Sequence, residues 1–208
     1  MDETKSVWQR QRKERVVMRK SENPIILSIV LLVISVIVAF LLSFTNSVTI
    51  DKIQENSVKE QNLAKQEVLA EAKDFVDAEV KDETGLVKAV FEGLNENKEI
   101  VGWCVSVTPS GYGGELDMMV GIKADGTVSG IKVVSHSETP GLGGKVTEEE
   151  FSSQFDGKET SEPLSVIKNG TPKKSEIVAI SGATITSKAV KDGVNAAIDA
   201  VEAIKGGA

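Results

Sequence analysis

Residues 25–44 read IILSIVLLVISVIVAFLLSF, twenty consecutive residues without a charge. As a helix rising about 1.5 Å per residue, such a run spans about 30 Å, the thickness of the hydrocarbon layer of a bilayer. In hydrocarbon every backbone N–H and C=O must find a partner within the protein, and a single segment meets that demand as a helix. Pro24 stands where a first-turn proline sacrifices no hydrogen bond, and Asn46 and Asp51 mark the return to water. The run divides the chain into a cytoplasmic leader (1–24), one transmembrane helix (25–44) and a larger polar remainder.

Charge sets the expected orientation. Residues 1–24 hold seven basic side chains (Lys5, Arg10, Arg12, Lys13, Arg15, Arg19, Lys20) against four acids (Asp2, Glu3, Glu14, Glu22), a net of +3. The remainder holds 17 basic and 27 acidic groups, a net of −10. The positive-inside rule then puts the N-terminus in the cytoplasm and residues 45–208 on the far side of the cell membrane. A cleaved signal peptide is the alternative reading. Its apolar core and leader would be long, and Ser43 and Thr45 form a poor small-residue cleavage pattern. No cysteine follows the run, which argues against lipoprotein processing.

Of 208 residues, those beyond the span suffice for one domain of ordinary size. If the protein helps to move ions, other subunits must form the path. One cysteine (Cys104) and one histidine (His136) exclude an internal disulfide and leave a zinc or iron–sulfur site without ligands. Redox chemistry here needs an organic cofactor. Cys104 reads as a small strand hydrophobe, while His136 and Lys145, on a loop, are assigned no role. No nucleic-acid partner is expected.

Residues 45–98 are expected to form a helical stalk and a short helix packed on the domain. Val58, Leu69, Ala72, Val76 and Val80 recur at helical spacing in a stretch rich in Lys, Glu, Gln and Ala, and Leu86, Val87, Val90, Phe91 and Leu94 suggest the second helix. The extracytoplasmic domain is placed at 99–208. There GWCVSVTP, LDMMVGIK and TVSGIKVVS read as strands, the last two joined at Ala124-Asp125-Gly126, a hairpin turn. The GYGGEL stretch (111–116) reads as a flexible connection. A helical piece near TEEEFSSQF (147–155) precedes PLSVIK and EIVAISGATITS, a strand entering a glycine turn. A last helix is expected over about 187–204, its stripe of Val190, Val194, Ala197, Ile198, Val201 and Ile204 facing the sheet. The fold class is α+β: a mainly antiparallel sheet with helices on one face, preceded by the transmembrane helix.

The sharpest local feature is Ser181-Gly182-Ala183-Thr184, between a strand and a helix. Unpaired first-turn N–H groups and the positive helix end favour a phosphate there, and Gly182 and Ala183 let a ligand approach the backbone. A threonine at this point is equally suited to cap the helix, and Thr184, Thr186 and Ser187 all qualify. Residues alone leave the two readings open.

SGATITS resembles the flavinylation motif of extracytoplasmic FMN-binding domains. A second string, Ser135-His136-Ser137-Glu138-Thr139-Pro140-Gly141-Leu142-Gly143-Gly144-Lys145, resembles the ETPGLG loop of two members of that family. These are the G subunit of the Rnf ion-translocating complex and the C subunit of the sodium-pumping NADH:quinone reductase. The family pattern usually begins with Asp or Ser three residues before Ser181, where this chain has Val178. The resemblance covers most of the chain, and the short length fits the Rnf G subunit better.

It implies that a flavin transferase takes FMN from FAD and joins its phosphate to Thr184, with Ser181, Gly182 and Ala183 completing the motif. Thr139, Gly141, Leu142 and Gly143 would contact the ring: Pro140 fixes the turn, the glycines admit a flat group, and Leu142 packs on its face. The implied role is electron transfer beside other membrane subunits, coupling ferredoxin and NAD chemistry to Na⁺ or H⁺ movement, without independent catalysis. Alternatives are the quinone-reductase subunit with other partners, a free-standing FMN domain, or an anchored adaptor without cofactor in which SGAT only caps a helix.

Overall fold

The computed structural model describes residues 23–79, 84–159 and 161–206. Residues 1–22, which hold all the charges of the leader, and Val80 lie outside them. The first helix, α1, runs Pro24–Val68. By internal contacts the chain divides into two units, residues 1–55 and residues 56–208.

In the first unit the apolar run is helical throughout, and its window of mean hydropathy 3.4 has nothing buried. The hydroxyls of Ser28, Ser35 and Thr45 donate to the carbonyls of Pro24, Leu31 and Leu41 at 2.8, 2.8 and 2.9 Å. Hydroxyls satisfied within their own helix suit a helix surrounded by lipid. By length and composition this helix is a candidate membrane span.

The second unit is built on a five-stranded antiparallel meander: β1 (Asp74–Ala78), β2 (Val87–Leu94), β3 (Ile100–Val107), β4 (Leu116–Lys123) and β5 (Val128–His136), paired in chain order. Then come a 3-10 turn (Gly143–Thr147), the short α2 (Glu149–Ser152) and a second 3-10 turn (Ser153–Phe155). Strands β6 (Ser165–Ile167) and β7 (Glu176–Val178) pair in parallel, and α3 (Thr184–Gly206) ends the domain. The expected hairpin is present: Gly126 has φ +88° and its N–H donates to the Lys123 carbonyl at 3.0 Å.

Helix α3 lays Val190, Val194, Ala197, Ile198 and Val201, all buried, against Val105, Val107, Met118, Val120 and Ile122 of the sheet. Phe151 and Phe155 close the same core, with ring centroids 5.6 Å apart. The opposite face is covered too, by the last turns of α1. Ala64, Val68 and Leu69 join Ala72, Cys104 and Met119 in a smaller cluster. Lys65 Nζ lies 4.0 Å from the Phe91 ring centroid, and Ser129 donates to the Val68 carbonyl. Burial pushes the Cys104 thiol up to about 12, against the pull of the Lys65 charge, so the residue is an inert hydrophobe.

Two expected helical segments are strands. Residues 86–94 were expected as a packing helix but form β2, and Val76 lies on β1 instead of continuing the stalk. The reason is a sheet buried on both sides. Val90 belongs to the core under α3 and its neighbour Phe91 packs on the α1 side. Successive strand residues point to opposite faces, so Val87, Val90, Phe91 and Leu94 mimic helical spacing although the adjacent Val90 and Phe91 serve two cores.

Candidate functional site

The chain enters the site from β7, whose outer edge is clamped by one side chain. The N–H of Val178 donates to Gln154 Oε1 at 2.8 Å, and Gln154 Nε2 donates back to the Val178 carbonyl at 3.3 Å. The turn that follows is tied to the helix it precedes. The Ile180 N–H donates to Ser187 Oγ at 3.0 Å, Ser187 Oγ donates to the Ala183 carbonyl at 3.0 Å, and the Ala183 N–H donates to the Ile180 carbonyl at 2.9 Å. Gly182 sits at φ +79°, a conformation costly for any residue with a side chain. A Cβ there would also come within 3.3 Å of Leu142 Cδ2. The glycine turn and the loop of residues 138–143 therefore meet.

Helix α3 begins at Thr184, three residues earlier than the apolar stripe suggests. The three candidate hydroxyls are now distinguishable. Ser187 braces the turn; Thr186 is buried and donates to Glu138 Oε2 at 2.9 Å. Thr184 is half-buried and, among the described residues, its hydroxyl makes no hydrogen bond, so it does not cap the helix. The backbone N–H groups of Thr184, Ile185 and Thr186 likewise have no acceptor among the described residues, as the first turn of a helix requires.

The loop after β5 is organised by its own backbone and by Glu138. Gly144 and Leu142 N–H groups donate to the Thr139 carbonyl at 3.1 and 3.2 Å, and the Glu138 N–H donates to His136 Nδ1 at 3.1 Å. Glu138, only 6% exposed, accepts from the N–H groups of Tyr112 (2.7 Å) and Gly113 (3.0 Å) on Oε1. Cβ atoms placed on Gly111 or Gly143 would overlap its carboxylate oxygens. The GYGGEL connection, expected to be flexible, is thus fastened to the second motif. Sequence reasoning missed the signal in Glu138: an acid inside a Gly/Pro loop, where nothing local satisfies it.

These segments enclose a cavity of about 490 Å³, within the usual range for small-ligand sites. Thr139, Leu142, Gly143, Gly182, Ala183 and Thr184 line it, together with Tyr112, Glu138, Ile185 and Thr186, which the sequence reading did not assign to the site. Gly141 does not line it; at φ +77° it shapes the loop. Ser181 faces a neighbouring hollow of about 400 Å³ with Lys145, Phe151 and Gln154. Tyr112, Leu142 and Ile185, at 75%, 47% and 56% exposed, ring the mouth with apolar surface.

A phosphorylated flat aromatic group suits this chemistry. The Thr184 hydroxyl is free to be esterified, free amides and a positive helix end lie beside it for phosphate oxygens, and Leu142, Ile185 and Tyr112 offer apolar surface to a ring. Nearby, Asp117 joins Lys88 (2.8 Å), Ser135 (3.0 Å) and Thr108 (3.2 Å), fastening β2, β4 and β5 at the same end of the sheet. Partial burial alone would raise its pKa; these hydrogen bonds and the Lys88 charge hold it below the usual carboxylate range.

Residues 111–199 match the family model of the FMN-binding domain. The chain is 43% identical over 185 residues to the G subunit of the Na(+)-translocating ferredoxin:NAD(+) oxidoreductase complex of Acetobacterium woodii, covering 83% of this chain and 88% of that protein. It is 35% identical to the G subunit of an ion-translocating oxidoreductase complex of Methanosarcina acetivorans, covering 86% and 94%. The crystal structure of Shewanella oneidensis NqrC is similar over 51% of this chain and 53% of that one, with 25% identity and a TM-score of 0.48. On the strength of two relatives matched along most of their length, the chain belongs to the G-subunit family of Rnf-type ion-translocating oxidoreductase complexes and carries that family's FMN-binding domain.

Proposed function

We propose that this protein is a membrane-anchored electron-transfer subunit carrying FMN esterified through its phosphate to Thr184. The observation that supports it is the separation of three neighbouring hydroxyls: Ser187 and Thr186 are committed to the fold, and Thr184, on the cavity wall, has no hydrogen-bond partner among the described residues. A helix-cap role, the basis of the adaptor alternative, would need Thr184 to accept from a first-turn amide.

In the attachment step, catalysed by a flavin transferase, Thr184 Oγ1 attacks the FMN phosphorus of FAD. The Oγ1–P bond forms, the pyrophosphate bond breaks, AMP leaves, and the hydroxyl proton passes to a base of the transferase. The chain's own residues would then hold the product: the unpaired amides of Thr184 to Thr186 would serve its phosphate oxygens, and Leu142 and Ile185 would offer apolar surface to its ring. When bound, FMN supplies the capacity to accept and release electrons. Covalent attachment prevents loss of a cofactor on the side of the membrane away from its synthesis, where charge asymmetry puts this domain.

The relatives are subunits of larger complexes, and we infer the same for this chain: it passes electrons among other membrane subunits of an Rnf-type complex, coupling ferredoxin and NAD chemistry to Na⁺ or H⁺ translocation. The test is intact mass of the protein purified from membranes after co-production with the transferase. An FMN-sized increment is expected in the natural protein and none in Thr184→Val; an unmodified natural protein refutes the reading.

A further inference from the structure

Glu138 is the least expected group on the cavity wall. It is buried, yet among the described residues no Lys or Arg pairs with it. Its three partners, the Tyr112 and Gly113 amides and the Thr186 hydroxyl, all donate, which is the pattern an ionised carboxylate takes. Burying a charge without a counter-ion is unfavourable. The fold has no need of it: a glutamine of the same shape would accept both amides on Oε1 and donate to Thr186 from Nε2. What a glutamine lacks is the negative charge, on the wall that Thr184 shares.

We propose that Glu138 is a potential-setting residue: its fixed charge, pinned by three donors from two other segments, opposes electron uptake by the group held at Thr184. The proposal rests on the FMN reading above. Each electron added to a bound ring brings negative charge beside another negative charge in a poorly solvated wall, so the oxidised form is favoured. The pinning matters because a carboxylate free to swing into solvent would be screened. Gly111 and Gly143, which leave room for the two oxygens, and Thr186, which reaches from α3, serve the same end.

The test is reductive titration with dithionite of protein whose flavin content has first been established by intact mass, for the natural protein, Glu138→Gln and Thr186→Val. Removing the charge should raise the midpoint potential by at least a tenfold change in the two-electron reduction constant, about 30 mV. Removing the hydroxyl, which partly neutralises that charge, should lower it. Loosening of the site alone would move both variants the same way. Full flavin content in Glu138→Gln with the natural potential overturns the proposal and leaves the FMN reading intact. If Glu138→Gln does not load, Thr186→Val decides: an unchanged or raised potential overturns it. A natural protein without flavin overturns the FMN reading and this inference with it. Produced without the transferase, Glu138→Gln should melt no lower than the natural protein; a lower value overturns the proposal, because the charge would then serve the fold.

Discussion

The cavity has a floor and a rim, and they are made differently. On the floor Glu138, Gly143, Ala183 and Thr186 are buried, and the hydrogen bonds that Glu138 accepts from Tyr112 and Thr186 link three stretches far apart in sequence. On the rim Tyr112, Leu142 and Ile185 are exposed and Thr184 keeps its hydroxyl free. The floor's shape is set by hydrogen bonds within the chain, whereas the rim displays apolar surface and a hydroxyl that makes no hydrogen bond among the described residues. The shape of the cavity and the free hydroxyl thereby fall to different side chains, and Thr184 can be altered without disturbing the floor's hydrogen bonds.

The largest expected effect is on the rim. Thr184→Val should abolish covalent flavin completely while the protein made without transferase unfolds within about 0.5 kcal/mol of the natural one, as for a surface substitution that removes no hydrogen bond; a large drop in stability on urea titration would show that the hydroxyl belongs to the floor after all. Next is Gly143→Ala. A methyl at that position displaces the Glu138 carboxylate, and overpacking of this kind costs about 1–3 kcal/mol. Chemical denaturation should show that loss even in protein that never met flavin.

A third experiment sharpens the contrast between the two carboxylates. Among the described residues Asp117 has a cation and Glu138 does not. The Asp117 pKa is depressed in the fold, so its contribution is fully present above the ordinary carboxylate range and is lost as pH falls through the depressed value. The stability difference between natural protein and Asp117→Asn should therefore be constant near neutrality and vanish in stronger acid; a difference that grows on acidification contradicts the assignment. The smallest effect belongs to the exposed Lys132–Glu67 pair. Glu67→Gln should change stability by about 1 kcal/mol or less, and added salt should erase the change.

Local pattern carried the reading of α3, the 124–126 hairpin and β3 to β5, because each has one dominant signal: a single apolar stripe, an Asp-Gly turn, or strand-length runs. It failed at β2, where Val90 and Phe91 face different cores and their spacing imitates a helix. It also gave no hint that Leu69 and Ala72 would cover the sheet's second face, since contact with Cys104 and Met119 arises only after folding. At the site, SGAT and the 138–143 loop were legible as strings. That Thr184 would stand free of hydrogen bonds among the described residues while Thr186 would not could not be read from the string Thr184-Ile185-Thr186-Ser187, because the choice is made by a glutamate 48 positions before Thr186.

One carboxylate sets rules for two glycines it does not neighbour in sequence. Gly111 and Gly143 are confined to hydrogen side chains because Glu138 fills the space where a methyl would go. Exhaustive mutagenesis should therefore find positions 111 and 143 intolerant while the glutamate stands, and more permissive once position 138 is shortened. The three positions are thus expected to change as one unit, a substitution at any of them being tolerated according to what the other two already are.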